Sequence, residues 1–200
     1  MARILLVRHA PTPVTGTRLT GRQPGYSLGP EGEAAAQATA EALRNVKIKE
    51  LYSSPIERTM ETAAIIGEPH GLEPMVEAGV IEMDFGRWEG RTLKSLRRTA
   101  LWATVQRTPS RMRFPEGESF GEAQQRAVDA VERIAASVGK GTAAVVSHSD
   151  VIKLVVSYYL GQPLDSFQRM MISTASVTDL RLAPGHPPFI VSINGTGVAS

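Results

Sequence analysis

Two short runs, "RILLV" at 3–7 and "TAAVVS" at 142–147, are apolar through their middles without alternation. A strand with one wet face alternates apolar and polar residues. A continuous run rich in branched residues suits a strand covered on both faces. Such strands need a layer above and a layer below, and this requirement constrains the fold more than any other feature. "ELYSS" at 50–54, "SVTDLRL" at 176–182 and "PFIVSI" at 188–193 are further strand candidates.

The stretches between these runs carry helix signals. Pro30 opens a helix that extends through Leu43. Ser54-Pro55-Ile56-Glu57 has the order cap, proline at the first helical position, and glutamate three residues after the cap. Ser119-Phe120-Gly121-Glu122 repeats the Ser-x-x-Glu signature before a long stretch rich in Ala and Val. Another helix is expected from about Asp150 to Leu160, stopped by Gly161. Strands alternating with helices predict an α/β protein: a three-layer α/β/α sandwich around a mostly parallel sheet. With 200 residues and no repeat or linker, residues 1–200 read as a single domain.

Composition narrows the chemistry. There is no cysteine, so disulfides, thiolate metal sites and a cysteine nucleophile are excluded. No pair of histidines has metal-ligand spacing on a helix, and a metal site is not expected. "ILLV" is too short for a signal sequence or a membrane span, and the expectation is a cytoplasmic protein. A net charge of +2 does not suit a nucleic-acid binder, but the charge is uneven. Between Arg87 and Arg113 stand eight basic residues (Arg87, Arg91, Lys94, Arg97, Arg98, Arg107, Arg111, Arg113) against one acid, Glu89. This segment reads either as a solvated face or as an electropositive rim that attracts an anion.

In parallel sheets, ligands bind beyond the carboxyl ends of the strands. Arg8 and His9 end the first strand, and His148 ends the "TAAVVS" strand. Arg58 falls in the first turn of the helix after "ELYSS". Two arginines and two histidines at one sheet edge suit an anion pocket, because guanidinium forks match phosphate oxygens. A neutral imidazole is a competent nucleophile near pH 7. "GVIEMDFGRWEG" offers Glu82, Asp84 and Glu89 as proton donors, with Glu82 placed after an apolar run that would desolvate it. His70 and His186 sit in turn-like stretches and read as solvated.

Taken in order, "LLVRHAPT", "LYSSPIERTMETA", "IEMDFGRWEG" and "VVSHSDVIK" resemble the histidine phosphatase superfamily, also called phosphoglycerate-mutase-like. "SLGPEGEAAA" and "FPEGESFGEAQQRA" resemble its helix openings. The later stretch resembles a bacterial subgroup of short members, often labelled phosphomutase-like. The resemblance implies that His9 attacks phosphorus and that Arg8, Arg58 and His148 hold the phosphoryl oxygens. It implies that Glu82 protonates the leaving group, with neither metal nor cofactor required. Thr15 stands where the family has a phosphate-contacting Asn, and Thr20 and Gly21 fall in its phosphate-pocket segment. Ala10 replaces a usual glycine, Pro11 stands where an acid or Gln is common, and Ser149-Asp150 replaces a frequent Gly-Gly.

Three functions fit these residues. The first is a phosphomonoester hydrolase acting on a small phosphorylated metabolite. The second is a phosphoglycerate-mutase-like phosphomutase, and the third is an inactive phospho-ligand binding protein. A lid from about Thr92 to Pro115, shorter than that of glycolytic mutases, favours hydrolysis. Its basic excess points to a substrate with a second negative charge. No nucleic-acid or membrane partner is expected, and "PFIVSI" could pair with a second copy at a sheet edge.

Overall fold

The computed structural model describes residues 1–197. In chain order its elements are β1 (Ala2–Arg8), α1 (Pro30–Leu43), β2 (Ile48–Ser53), α2 (Glu57–Gly67), β3 (Met75–Val76), α3 (Leu93–Leu96), α4 (Ala100–Arg107), α5 (Phe120–Val138), β4 (Thr142–Ser147), α6 (Ser149–Tyr159), β5 (Val177–Leu182) and β6 (Phe189–Gly195). They form one sheet of six strands in the order β3-β2-β4-β1-β5-β6. The β1–β4, β4–β2 and β2–β3 pairs are parallel. β5 runs antiparallel to both β1 and β6, so it alone opposes the other described strands.

The two-faced burial expected of β1 and β4 is what the sheet delivers. Ile4, Leu6, Ala143 and Val145 pack on one side with α5 and α6 residues such as Val131, Ile134 and Val155. Leu5, Val7, Ala144 and Val146 pack on the other side with Leu43 of α1 and Ile66 of α2. Successive residues of each strand thus feed opposite cores, as the two-residue period requires. A third cluster lies off the sheet. In it Phe114, Phe120 and Phe167 pack with Met83, Trp88, Leu96 and Val105, and the Phe114–Phe120 rings stand at 72° with centroids 5.4 Å apart. Residues 92–115 are therefore anchored in a small core that they share with Met83, Trp88, α5 and α6. Trp102 stacks on Trp88 at 16° and 6.3 Å, as part of that core.

Helix boundaries follow the sequence closely, with one correction. α1 spans Pro30–Leu43 as expected, and α6 starts at Ser149, one residue early. Ser119 and Glu122 form the expected reciprocal capping box at α5. Ser54, by contrast, does not cap α2. That helix starts at Glu57 with Ile56 as the flanking residue. The Ser54 backbone N–H donates instead to the Val146 carbonyl, continuing the pairing of β2 with β4. β3, only two residues long, was not anticipated. Among the described residues no helix is long and apolar enough to cross a membrane.

The capping box at α5 gives a check on this assignment. Ser119→Ala should destabilise the protein by about 1 kcal/mol, read as a lower denaturation midpoint, with catalytic constants unchanged.

Candidate active site

The sheet order puts β4 between β1 and β2, so three carboxyl ends lie side by side. Arg8 pairs with Ser147, and Ser53 pairs with Val146. The next residues, His9, His148 and Ser54, therefore meet at one edge. His9 is fixed by its own backbone, whose N–H donates to the Ser147 carbonyl at 2.9 Å. The adjacent Ala10 N–H donates to Thr62 Oγ1 at 3.0 Å. The Ala10 methyl is fully buried, so the departure from glycine is accommodated by packing.

The His9 ring has a defined proton arrangement. Nδ1 lies 2.8 Å from the Ala10 carbonyl, and only a protonated Nδ1 can donate there. The lone pair is thus on Nε2, where Arg58 Nε donates at 3.3 Å. Burial, and after it the Arg58 charge, lowers the His9 pKa to about 3, although the Ala10 carbonyl pulls the other way. The His9 imidazole is therefore neutral throughout the physiological range.

Arg58 is buried at the centre of the site. Its Nη2 donates to the Gly21 carbonyl at 2.9 Å and to His148 Nδ1 at 3.2 Å. Because Arg58 can only donate to Nδ1, the neutral His148 ring carries its proton on Nε2, which donates to Ser54 Oγ at 2.8 Å. Burial and the nearby Arg58 hold the His148 pKa well below its usual value. Two buried guanidinium nitrogens, Arg58 Nη1 and Arg8 Nε, have no hydrogen-bond partner among the described residues. Arg8 itself is anchored by Nη1 donating to the Ile172 carbonyl at 2.6 Å. Buried donors of this kind are costly unless an acceptor meets them.

Glu82 faces the same point. Its Oε2 is 3.6 Å from His148 Nδ1 and 3.9 Å from Arg58 Nη2, while Oε1 accepts the Met83 N–H at 2.9 Å. Its side chain is 13% exposed. Burial pushes its pKa up to about 7 against the opposing pull of Arg58, and the Asp150 charge adds to the rise. The backbone of Glu82 is clamped as well. Its carbonyl accepts from Arg22 Nε at 2.8 Å and from Arg126 Nη2 at 3.1 Å. Glu118 bridges those two arginines at 3.0 and 2.6 Å and also accepts the Asp84 N–H. Arg22, Glu118, Arg126 and Ser54 were missed from the sequence. Ser54 stands in "LYSSPIERTMETA", and Glu118 and Arg126 stand in "FPEGESFGEAQQRA", but nothing in those stretches marks them as partners of His148 or Glu82.

A partly open cavity of about 200 Å³ collects these groups. Arg8, His9, Arg58 and Glu82 line it, as do Thr15, Thr20 and Gly21. His148 is fully buried behind Arg58 and Glu82. Thr15 Oγ1 accepts the Thr12 N–H at 2.9 Å, so its hydroxyl holds the loop after β1 as well as facing the cavity. Gly21 has φ +56, and a Cβ there would collide with the Glu89 carboxylate. Glu89 itself accepts the Arg22 N–H, a structural role rather than that of a proton donor. None of the eight basic residues between Arg87 and Arg113 lines the cavity; from residues 92–115 it takes Leu93. His70 is partly buried, not fully solvated as its turn-like surroundings suggested, and it lies outside the cavity, as does His186. A larger groove of about 1040 Å³, lined by Tyr158, Tyr159, Leu182 and Pro184 among others, includes none of the residues around His9.

Known proteins resemble this chain in sequence and in fold. A protein of Erwinia tasmaniensis named "Probable phosphoglycerate mutase GpmB" is 29% identical over 89% of this chain and 84% of its own. Phosphoserine phosphatase 1 of Hydrogenobacter thermophilus is 27% identical over 91% and 87%. Among solved structures, Bacillus stearothermophilus YhfR superposes with a TM-score of 0.89 at 26% identity, covering 100% of this chain and 98% of that one. A mycobacterial glucosyl-3-phosphoglycerate phosphatase gives 0.80 at 25% identity, covering 89% of each. The sequence pattern of the histidine phosphatase superfamily (branch 1) matches residues 4–195, and the chain belongs to that superfamily.

Proposed function

We propose that the protein is a phosphomonoester hydrolase working through a phosphohistidine on His9. The observation that carries this reading is the conjunction of a neutral, buried Nε2 lone pair with two buried arginine donors that lack acceptors. A phosphoryl group placed against Nε2 supplies those acceptors. Its equatorial oxygens would take hydrogen bonds from Arg8 and Arg58, whose charges offset the charge spread over them in transfer. The dianion also offsets the cationic field that keeps His148 neutral. His148 can then hold a second proton on Nδ1 and donate it to a phosphoryl oxygen.

The chemistry proceeds in two displacements. His9 Nε2 forms a bond to phosphorus as the ester P–O bond breaks, and Glu82 gives its proton to the departing alkoxide. Water then attacks the phosphohistidine, Glu82 takes a proton from it, and inorganic phosphate leaves with Nε2 free again. A carboxyl with a pKa of about 7 suits both the acid and the base role at neutral pH. Thr15, Thr20 and Gly21 shape the phosphate end of the cavity, and residues 92–115 act as a cover whose Leu93 touches it. A cavity of about 200 Å³ favours a small phosphorylated metabolite over a macromolecule.

A phosphomutase is the second reading, favoured by the name of the Erwinia relative. The same five residues serve it, provided the phosphoryl group returns to a substrate hydroxyl before water arrives. Incubation with 3-phosphoglycerate, with and without a bisphosphorylated primer, separates the two. Isomerisation outpacing phosphate loss would favour the mutase.

Wild-type protein in EDTA should release phosphate from an aryl phosphate, and His9→Ala should abolish it by about 10³-fold or more. Activity surviving in His9→Ala would overturn the assignment of the nucleophile.

The pH dependence tests the acid. Glu82 is protonated below its pKa of about 7 and loses the proton above it. The rate for an alkyl phosphate, whose alkoxide needs a proton, should therefore fall as pH rises through 7. Glu82→Gln should remove that limb and slow alkyl phosphates by about 10²-fold or more, while the burst of phenol from a good aryl leaving group changes far less.

A further inference from the structure

The cavity wall opposite the loop after β1 carries an unexpected charge. Ser149 and Asp150, at the start of α6, line it beside Arg8, Arg58 and Glu82. A carboxylate there opposes the binding of a phosphate dianion. Asp150 Oδ1 lies 3.4 Å from Lys153 Nζ, a cation that also donates to Gln168 at 3.2 Å. Among the described residues Oδ2 has no hydrogen-bond donor, and the side chain is 23% exposed.

A first-turn carboxylate does complement a helix dipole. That role is met equally well by a carboxylate turned to bulk solvent, whereas this one faces an anion pocket. The basic residues expected to receive a second negative charge lie outside the cavity. Arg18 also lines the cavity, with Nη1 donating to the Gly90 carbonyl at 2.8 Å, and Asp150 is the carboxylate of that lining whose Oδ2 has no donor among the described residues.

We propose that Asp150 is a specificity determinant that selects phosphomonoesters whose alcohol part carries an ammonium group, with Oδ2 accepting from the cation. The claim rests on the hydrolase reading and deepens it to aminoalkyl phosphates. The substrate is then dianionic at one end and cationic at the other, matched by arginines at the inner end of the cavity and Asp150 at its wall. A substrate with a carboxylate in place of the ammonium meets repulsion at the same position. The Asp150 charge also reaches Arg8 and Glu82, raising the pKa of each, so a change here has a general effect on rate as well as a selective one. The selective part is the test.

The experiment compares 2-aminoethyl phosphate, 3-aminopropyl phosphate, 2-hydroxyethyl phosphate and n-propyl phosphate as substrates for wild type and Asp150→Asn. Taking the ratio of wild type to variant for each substrate cancels intrinsic reactivity and any shared effect through Glu82. The ratio of kcat/KM should exceed the n-propyl ratio by about tenfold for at least one aminoalkyl phosphate, as a charge-assisted hydrogen bond requires. Lys153→Met is the second variant. Removing the internal cation should raise the preference of the otherwise wild-type site for the aminoalkyl phosphates. Equal ratios across all four substrates, or a preference unmoved by both variants, would overturn the proposal while leaving the hydrolase reading intact. Failure of wild type on every alkyl phosphate and on an aryl phosphate would overturn the hydrolase reading, and this proposal with it.

Discussion

Arg58 is the constraint on which the site depends. It is a fully buried cation that touches His9 Nε2, His148 Nδ1 and the Gly21 carbonyl, with the Glu82 carboxylate 3.9 Å away. Burying a charge among mostly neutral acceptors is unfavourable, and the fold tolerates it because two strand ends and one glycine turn supply those acceptors. The same charge helps to keep both imidazoles neutral and to restrain the rise of Glu82. Burial is the larger cause at each of these groups, and one guanidinium adds to it at His9 and His148 and opposes it at Glu82. Gly21 belongs to this arrangement. Its left-handed backbone turns a carbonyl towards Arg58 where a side chain would strike Glu89.

Much of this was legible in the sequence because it is local. The unbroken apolar runs gave β1 and β4 and required layers on both faces. Their polar ends, Arg8-His9 and His148, marked the edge where ligands bind. Which strands are neighbours is a property of topology, and only the insertion of β4 between β1 and β2 makes the three ends meet. The failures were of two kinds. Ser54 satisfies a local capping pattern, yet tertiary pairing carries the backbone past it as strand, and its hydroxyl goes to His148. Arg22 and Arg126 reach the Glu82 carbonyl across 60 and 44 positions of chain, and Arg22 reaches Glu118 across 96, and no spacing rule links them to Glu82.

The basic segment illustrates a different limit. Its charge was plain in the sequence, but charge alone does not say where a side chain points. Phe114, Leu96 and Val105 bury the apolar side of that segment, and Arg97 and Arg98 are left exposed. Such charges contribute to the field that draws anions inward. Discrimination between bound anions falls to the few groups on the cavity wall.

The clamp on the Glu82 carbonyl has a consequence for how such a protein can change over time. The position of Glu82 is fixed by Arg22, Glu118 and Arg126, none of which lies between residues 92 and 115. The reacting groups come from strand ends and from α2, again outside that stretch. The buried side of residues 92–115 packs on Met83, Phe85, Phe120 and Leu154, so it is tied to the site, whereas its exposed charges are not. The exposed charges of residues 92–115 can therefore be exchanged while the groups around His9 keep their places.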